Sequence, residues 1–342
     1  MHRRQDTVAV VGETLIDLLP VGGQRTGADR PRDDLYQAVP GGSPANVAVG
    51  LARLGVPTRM AARISGDPPG RILRRRLAEA GVDLRGVVEA AEASSLALVT
   101  HGPAGPHYDL RLHDTADWQW AEAELERVDP ASLSALHVGS LAAVLPPGAH
   151  EITALVRRVR GTATVSYDPN VRPEQMAAVP DAHTRIKALM GLADVVKLSD
   201  ADLAWLAPGT APAEFAGRAV AAGAAVAVVT RGAHGVVAAC AGGRFELPAV
   251  PVEVVDTVGA GDSYMSTLIA GLHDRGLLGA AARPALRAVE KDVLAAVLHD
   301  AALAAALTCG RRGSDPPTSD ELQEARTCLQ GSVADSPRWQ PA

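Results

Sequence analysis

Short apolar runs recur along the chain, and each stops abruptly at polar or glycine residues. TVAVV ends before Gly12 and Glu13, ATVSY before Asp168, DVVKL before Ser199, and AVAVVT before Arg231 and Gly232. Longer alanine- and leucine-rich segments with helical spacing lie between them. Strands alternating with helices predict an α/β fold, a three-layer doubly wound sheet that is mostly parallel. Of the 342 residues, 47% are hydrophobic, enough to bury such a core. In sheets of this kind ligands bind beyond the carboxyl ends of the strands, so the polar residues found there are the first candidates for a site.

Residues 18–41 and 94–118 break this rhythm. Both are rich in Gly, Pro, Arg and His, and the second carries alternating SLALVT and YDLRL runs around GPAGP, the pattern of a hairpin. A small β lid over the sheet accounts for both, as would two ordinary surface loops. No internal repeat or break divides the core, so residues 1–330 read as one domain, and 331–342 have the composition of a tail. At the N-terminus the apolar run is interrupted by Gly12, Glu13 and Asp17 and lacks a small-residue cleavage site, which argues for a first strand and against an export signal. No uncharged stretch of roughly 18 apolar residues occurs, so no membrane span is predicted. With a net charge of -6 and no Lys/Arg block joined to aromatics, a nucleic-acid partner is not expected and small molecules are. Cys240, Cys309 and Cys328 are too few and too scattered for a disulfide framework, which fits a reducing, cytoplasmic setting.

Two glycine-rich stretches carry the candidate chemistry. In DTVGAGDSYMSTLIAGL, Met265, Leu268, Ile269 and Leu272 recur at helical spacing, so a helix is predicted to begin near Gly261 or Asp262. Gly259, Ala260 and Gly261 then form a tight turn whose N–H groups point outward, an arrangement that stabilises an anion. Asp262 at that place is either the helix cap or a base set beside the anion hole. In GGSPANVAVGLARLG, Ser43 suits an N-cap, Pro44 the first helical position and Gly55 the helix end. Gly41, Gly42 and Asn46 are left over, and they suit close approach of a polyhydroxylated ligand. The chain has no GxxxxGK[ST], no GxGxxG after the first strand, no HExxH and no GxSxG.

Together, and in this order, the two stretches resemble the paired signatures of the ribokinase-like (PfkB) carbohydrate kinases, over almost the whole chain. VVGETLIDLLP, YDLRLHDTADWQW, DPNVRP, KLSDADL and ALTCGRRGSDPPT are similar to the fructokinase branch of that family. The resemblance implies an ATP-dependent transfer of the γ-phosphoryl group to a sugar hydroxyl, with fructose giving fructose 6-phosphate. The alternatives are 2-keto-3-deoxygluconate or another sugar or nucleoside as acceptor, and, from another class, a non-catalytic sugar or nucleotide sensor.

Carried onto this chain, the resemblance makes Asp262 the base and Gly259, Ala260 and Gly261 the anion hole. Asp17, Gly41, Gly42, Asn46 and Arg172 fall where the family holds its sugar. Thr230, Gly232 and Ser199 fall on the nucleotide side, with residues 301–305 near adenine. Mg2+ bridges phosphates in the family and is held largely through water. Its usual NxxE motif reads SDAD here, which makes Asp202 the candidate. Many members bind K+ near the same turn, with Asp256 as a candidate ligand. The resemblance also gives the lid a role in closing over the sugar, with Tyr36, Tyr108 and Arg111 as contacts, and an exposed lid sheet can pair two copies into a homodimer.

Overall fold

The computed structural model describes residues 6–20, 35–102 and 105–334, and their side chains except at 99–102, 105–108 and 330–334. In chain order the strands are β1 (Thr7–Val11), β2 (Leu15–Pro20), β3 (Tyr36–Gly41), β4 (Thr58–Ala61), β5 (Arg63–Ser65), β6 (Val88–Ala90) and β7 (Leu96–Gly102). They continue as β8 (Gly105–Arg111), β9 (Leu133–Gly139), β10 (Thr164–Asp168), β11 (Val195–Ser199), β12 (Val226–Thr230), β13 (Val236–Cys240) and β14 (Gly243–Leu247).

The eight-stranded main sheet runs in the order β14-β13-β12-β11-β10-β9-β1-β4. Every neighbouring pair from β4 to β12 is parallel, and β13 and β14 add an antiparallel edge. Because successive strand residues point to opposite faces, each strand feeds two cores. Ala9, Val11, Val196 and Leu198 join one cluster, with Ile152 and Leu155 of the helix Ala149–Val159 and Ile186 and Leu189 of the helix Ala182–Met190. Val8, Val10, Val195 and Val228 join the other, with Val47 and Leu51 of the helix Ser43–Arg53 and Met265, Leu268 and Leu272 of the helix Ala260–Asp274. Helices on both faces complete the three layers.

The helix Lys291–Cys309 is the one among the described residues long and apolar enough to cross a membrane, with a mean hydropathy of 1.5. Leu294, Val297, Leu298 and Ala301 bury its inner side in the second core. Gly271 lets it come close: a Cβ there would lie 2.8 Å from Val297 Cγ1.

Strands β3, β2, β7 and β8, in that order, form a second sheet, the small β lid. Its β7–β8 hairpin closes at the Gly102–Gly105 pair, on the GPAGP run. Most of the segment joining β2 to β3, residues 21–34, lies outside the described residues. The lid ends sooner than the sequence suggests. After β8 the chain turns inward, and Asp117, Trp118 and Trp120 are buried in the main domain because the two indoles fill the first core. At the other end the helix Ser319–Ala334 runs through residues 331–334, into the segment read as a tail, and 335–342 lie outside the described residues.

Candidate active site

Two helix starts meet at the carboxyl ends of the central strands. The helix Ser43–Arg53 begins after Gly42, whose φ of 96 only glycine adopts readily and whose missing side chain leaves room for Glu13 O, 2.7 Å from an added Cβ. Gly42, and not Ser43, holds the cap position, and no side chain caps this helix. Freed from capping, Ser43 Oγ donates to Asp262 Oδ1 at 2.7 Å, and Asn46 Nδ2 donates to Asp262 Oδ2 at 2.8 Å. Asp262 is 6% exposed and lies in the first turn of the helix Ala260–Asp274, where it makes no capping bond. The helix-cap reading of Asp262 therefore fails: both oxygens are spoken for by the neighbouring helix.

Gly259 precedes that turn in the left-handed region, at φ 79, and a Cβ on it would sit 2.1 Å from Ser314 Oγ. The N–H groups of Gly259, Gly261 and Asp262 have no protein partner among the described residues. Ala260 differs from the sequence expectation, because its N–H closes the turn on Thr257 O at 3.3 Å. Three free amides at the positive end of a helix remain available to an anion.

Two cavities flank this turn. The first, about 570 Å³, is lined by Asp17, Gly42, Asn46, Arg172 and Asp262, and also by Glu13 and Glu174. Gly41 stands behind it, where a Cβ would fall 2.3 Å from Asp17 Oδ2, so glycine is what lets that carboxylate turn inward. Burial pushes Asp17 up to about 6 against the pull of Arg172 and Arg76, with the nearby Asp262 and Asp256 adding to the rise. Asn46 Oδ1 is buried with no hydrogen-bond partner. Arg172 is exposed and donates to Asn170 O and Oδ1, at 3.1 and 2.6 Å. The second cavity, about 520 Å³, is lined by Thr230, Gly232, Tyr264, Ala302, Ala305 and Ala306, with Val236, Val250 and Val252 among its apolar walls. Thr257 and Gly261 line both cavities.

Other expected residues lie elsewhere. Ser199 and Asp202 line neither cavity and make a capping box at the helix Asp200–Leu206. Ser199 N and Oγ donate to Asp202 Oδ2, and Val171 N donates to Oδ1 at 2.7 Å, so backbone and hydroxyl occupy that carboxylate. Asp256 accepts from Val258 N at 3.0 Å and from Gly313 N at 2.8 Å and ties two loops together. Among the described residues no group of three His, Cys, Asp or Glu side chains could hold a metal ion. A divalent ion bound here would have to take its ligands mainly from phosphate and water. In the lid, Tyr36 is exposed, Arg111 pairs with Asp109 at 2.6 Å, and the Tyr108 side chain lies outside the described residues.

Of the polar strand-end residues that the sequence singled out, Glu13 lines the first cavity and Asp168 stands behind it, whereas Ser43 was read only as an N-cap and Lys197, which also lines it, was missed. The signal for Lys197 was present: one cation inside the apolar run VVKLS, which the fold buries to 4% exposure. Glu13 is 2% exposed, and burial raises it despite hydrogen bonds from Ser140 and from the Ala142 N–H.

Residues 5–321 match the model of the pfkB family carbohydrate kinase. A fructokinase of Klebsiella pneumoniae is 33% identical over 327 residues, covering 92% of this chain and 98% of its own. A fructokinase of Rhizobium leguminosarum bv. trifolii is 31% identical over 267 residues, 78% of this chain and 80% of its own. Among solved structures, the fructokinase of Xylella fastidiosa with bound ATP superposes with a TM-score of 0.85 at 26% identity, covering 95% of this chain and 99% of that one. An Escherichia coli chain described as a ribokinase II, in complex with ATP and Mg2+, gives 0.76 at 25% identity, with coverage of 95% and 99%.

Proposed function

The chain belongs to the pfkB family of carbohydrate kinases, and from that premise we propose that it transfers the γ-phosphoryl group of ATP to fructose, giving fructose 6-phosphate. The observation that carries the acceptor side is the buried, unpartnered Asn46 Oδ1 in a cavity that also holds Asp17, Glu13 and Glu174. Oxygen acceptors in that number ask for a ligand rich in hydroxyl donors. Against four carboxylates, counting Asp262, the cavity has Arg172 and Lys197 as its cations among the described residues. Lys197 is already paired with Asp168, which disfavours an acidic sugar such as 2-keto-3-deoxygluconate.

In this reading Asp17, Gly41, Gly42 and Asn46 hold the sugar, with Arg172 at the rim. Asp262 accepts the proton of the attacking hydroxyl, and Ser43 and Asn46 fix the orientation of its carboxylate. The free N–H groups of Gly259, Gly261 and Asp262 stabilise charge on the group in flight. Thr230, Gly232 and the alanine-lined wall of the second cavity receive the nucleotide. Mg2+ supplies charge neutralisation on the phosphates when bound. The open edges of the lid, β3 and β8, offer a route to a homodimer, which light scattering would register as a doubled mass.

A coupled assay with ATP and fructose, 2-keto-3-deoxygluconate, ribose, tagatose and adenosine tests the assignment. Fructose is expected to give the highest kcat/KM, and a preference for any other acceptor overturns it. Asp262→Asn is expected to lower kcat by about 10²–10⁴ with fold and sugar binding kept. Activity surviving within about tenfold would instead favour a different base. A non-catalytic sensor has no use for a carboxylate oriented at both oxygens beside free amides, and turnover on any acceptor removes that reading.

A further inference from the structure

Behind the Gly259 turn the chain folds a loop, residues 310–318, between the helices Lys291–Cys309 and Ser319–Ala334. The loop lines neither cavity. It backs the turn closely, because a Cβ on Gly259 would strike Ser314 Oγ at 2.1 Å and Gly313 N donates to Asp256 Oδ2 at 2.8 Å. In packing this tight a shift of Ser314 is passed on to Gly259, whose N–H is one of the three free amides. On its other side the loop meets the lid. A Cβ on Gly313 would lie 3.6 Å from Val39 Cγ1 of β3, and Val39 is the register partner of Asp17.

Arg76, in the last turn of the helix Pro68–Glu79, ties loop and lid together. Its Nη1 donates to Pro40 O of β3, and its Nη2 donates to Ser314 O at 2.6 Å. Both bonds are charge-assisted, and the planar guanidinium fixes the two carbonyls relative to each other. Arg76 is half-buried and forms no ion pair among the described residues; Asp315, beside the clasped carbonyl, goes to Arg53 at 2.5 Å instead. Burial lowers its pKa to about 10, with Arg53 adding to the fall and Asp315, Asp262 and Asp17 opposing it, so it is a cation at neutral pH.

An arginine that holds two backbone carbonyls and no ion serves geometry. We propose that Arg76 is a positioning residue for phosphoryl transfer, fastening the sugar-holding end of the lid to the loop that backs the Gly259–Asp262 amides. Pro40 directly precedes Gly41, the glycine that lets Asp17 turn inward. Closure of the lid on the acceptor acts on one end of the clasp, and the amides settle at the other. Acceptor and nucleotide thus each favour the arrangement that the other needs. Arg76 touches neither reactant, and no bond is made or broken at it. The inference rests on the lid side holding the acceptor and not on fructose being that acceptor.

Hydrogen exchange, calorimetry and turnover test it on the wild-type protein, Arg76→Met and Arg76→Lys. The first variant keeps the apolar stem and loses both donors, and the second keeps the charge without the fork that spans two carbonyls. A non-hydrolysable ATP analogue with Mg2+, added without sugar, is expected to slow exchange in β3 of the wild type, although no residue of β3 lines the nucleotide cavity. In Arg76→Met that effect is expected to vanish. In the wild type the best acceptor of the panel and the analogue are expected to tighten each other's binding about tenfold. In Arg76→Met each ligand alone is expected to bind within about threefold of wild type, while the mutual tightening is lost and kcat falls about 10–10². Arg76→Lys is expected to resemble Arg76→Met. Full activity in Arg76→Lys would mean that only charge near Asp17 and Asp262 matters, and the proposal falls. Mutual tightening that survives Arg76→Met overturns it, as does a wild type that shows none. If Arg76→Met does not fold, Arg76→Lys and the wild-type exchange carry the test, and unchanged exchange in β3 overturns the proposal. If the wild type turns over none of the acceptors, the assigned function fails, and the response of β3 to the nucleotide analogue still decides the role of Arg76.

Discussion

Asp17 shows at the scale of one residue how burial and proximity set a working range. Its carboxylate titrates at about 6, mainly because it is desolvated, so it is ionised at pH 8 and mostly neutral at pH 5. If the ionised form accepts hydrogen bonds from sugar hydroxyls, KM for the sugar rises as pH falls through 6. Asp17→Asn is expected to have a higher KM that is nearly flat over the same range, as read from initial rates at pH 5, 6, 7 and 8. A variant whose KM still follows the wild-type pH profile would assign the titration to another group. The sequence made Asn46 and Asp262 legible because each follows a glycine-rich turn at a helix start, and Asp17, inside β2, through the family resemblance. It hid what they touch. Ser43 has the spacing of an N-cap, and only the packing of two distant helices gives its hydroxyl to Asp262 instead. A cation in an apolar strand, Lys197, was visible but carries no spacing rule that says which way it points.

At the scale of elements, the lid is rooted in the main domain by one buried acid. Asp117 accepts from Thr14 N at 2.9 Å and from Ser95 Oγ at 2.5 Å. Thr14 lies between β1 and β2, and Ser95 just precedes β7, so this carboxyl pins both places where the chain passes into the lid. Burial pushes Asp117 up to about 7, against the hydrogen bonds from Ser95 and Thr14. The folded protein thus keeps a proton that the unfolded chain, with a value of 3.8, gives up. Stability from this group is full below the unfolded value and is lost as pH rises toward 7, by up to roughly 4 kcal/mol. Asp117→Asn is neutral throughout, so its denaturant midpoint is expected to decline less between pH 4.5 and 8 than that of the wild type. An identical decline would remove Asp117 from the account. The lid hairpin was legible from alternation around GPAGP. Its true end was not, because residues 112–118 share the polar composition of the lid and only Trp118 and Trp120, packed at long range, draw them into the core.

For the whole molecule, alternating strands and helices made the three-layer sheet legible, since that pattern has few topological solutions. The meeting of residues from opposite ends of the chain, Ser43 with Asp262, is a property of the closed fold and of no local stretch. Ligands that bind across such a meeting stabilise the whole. ATP at 100 times its Kd is expected to add about 2.7 kcal/mol and to raise the thermal midpoint. Sugar added with it is expected to slow amide hydrogen exchange in β7 and β8 beyond the effect of either alone, and unchanged exchange there would mean that the lid does not close on the acceptor. Thr257 and Gly261 form the wall common to both cavities. A sugar and an adenosine joined by one phosphate chain could therefore sit in both at once, each half raising the local concentration of the other. Such a hybrid compound is expected to inhibit turnover, with a potency that depends on the length of its bridge.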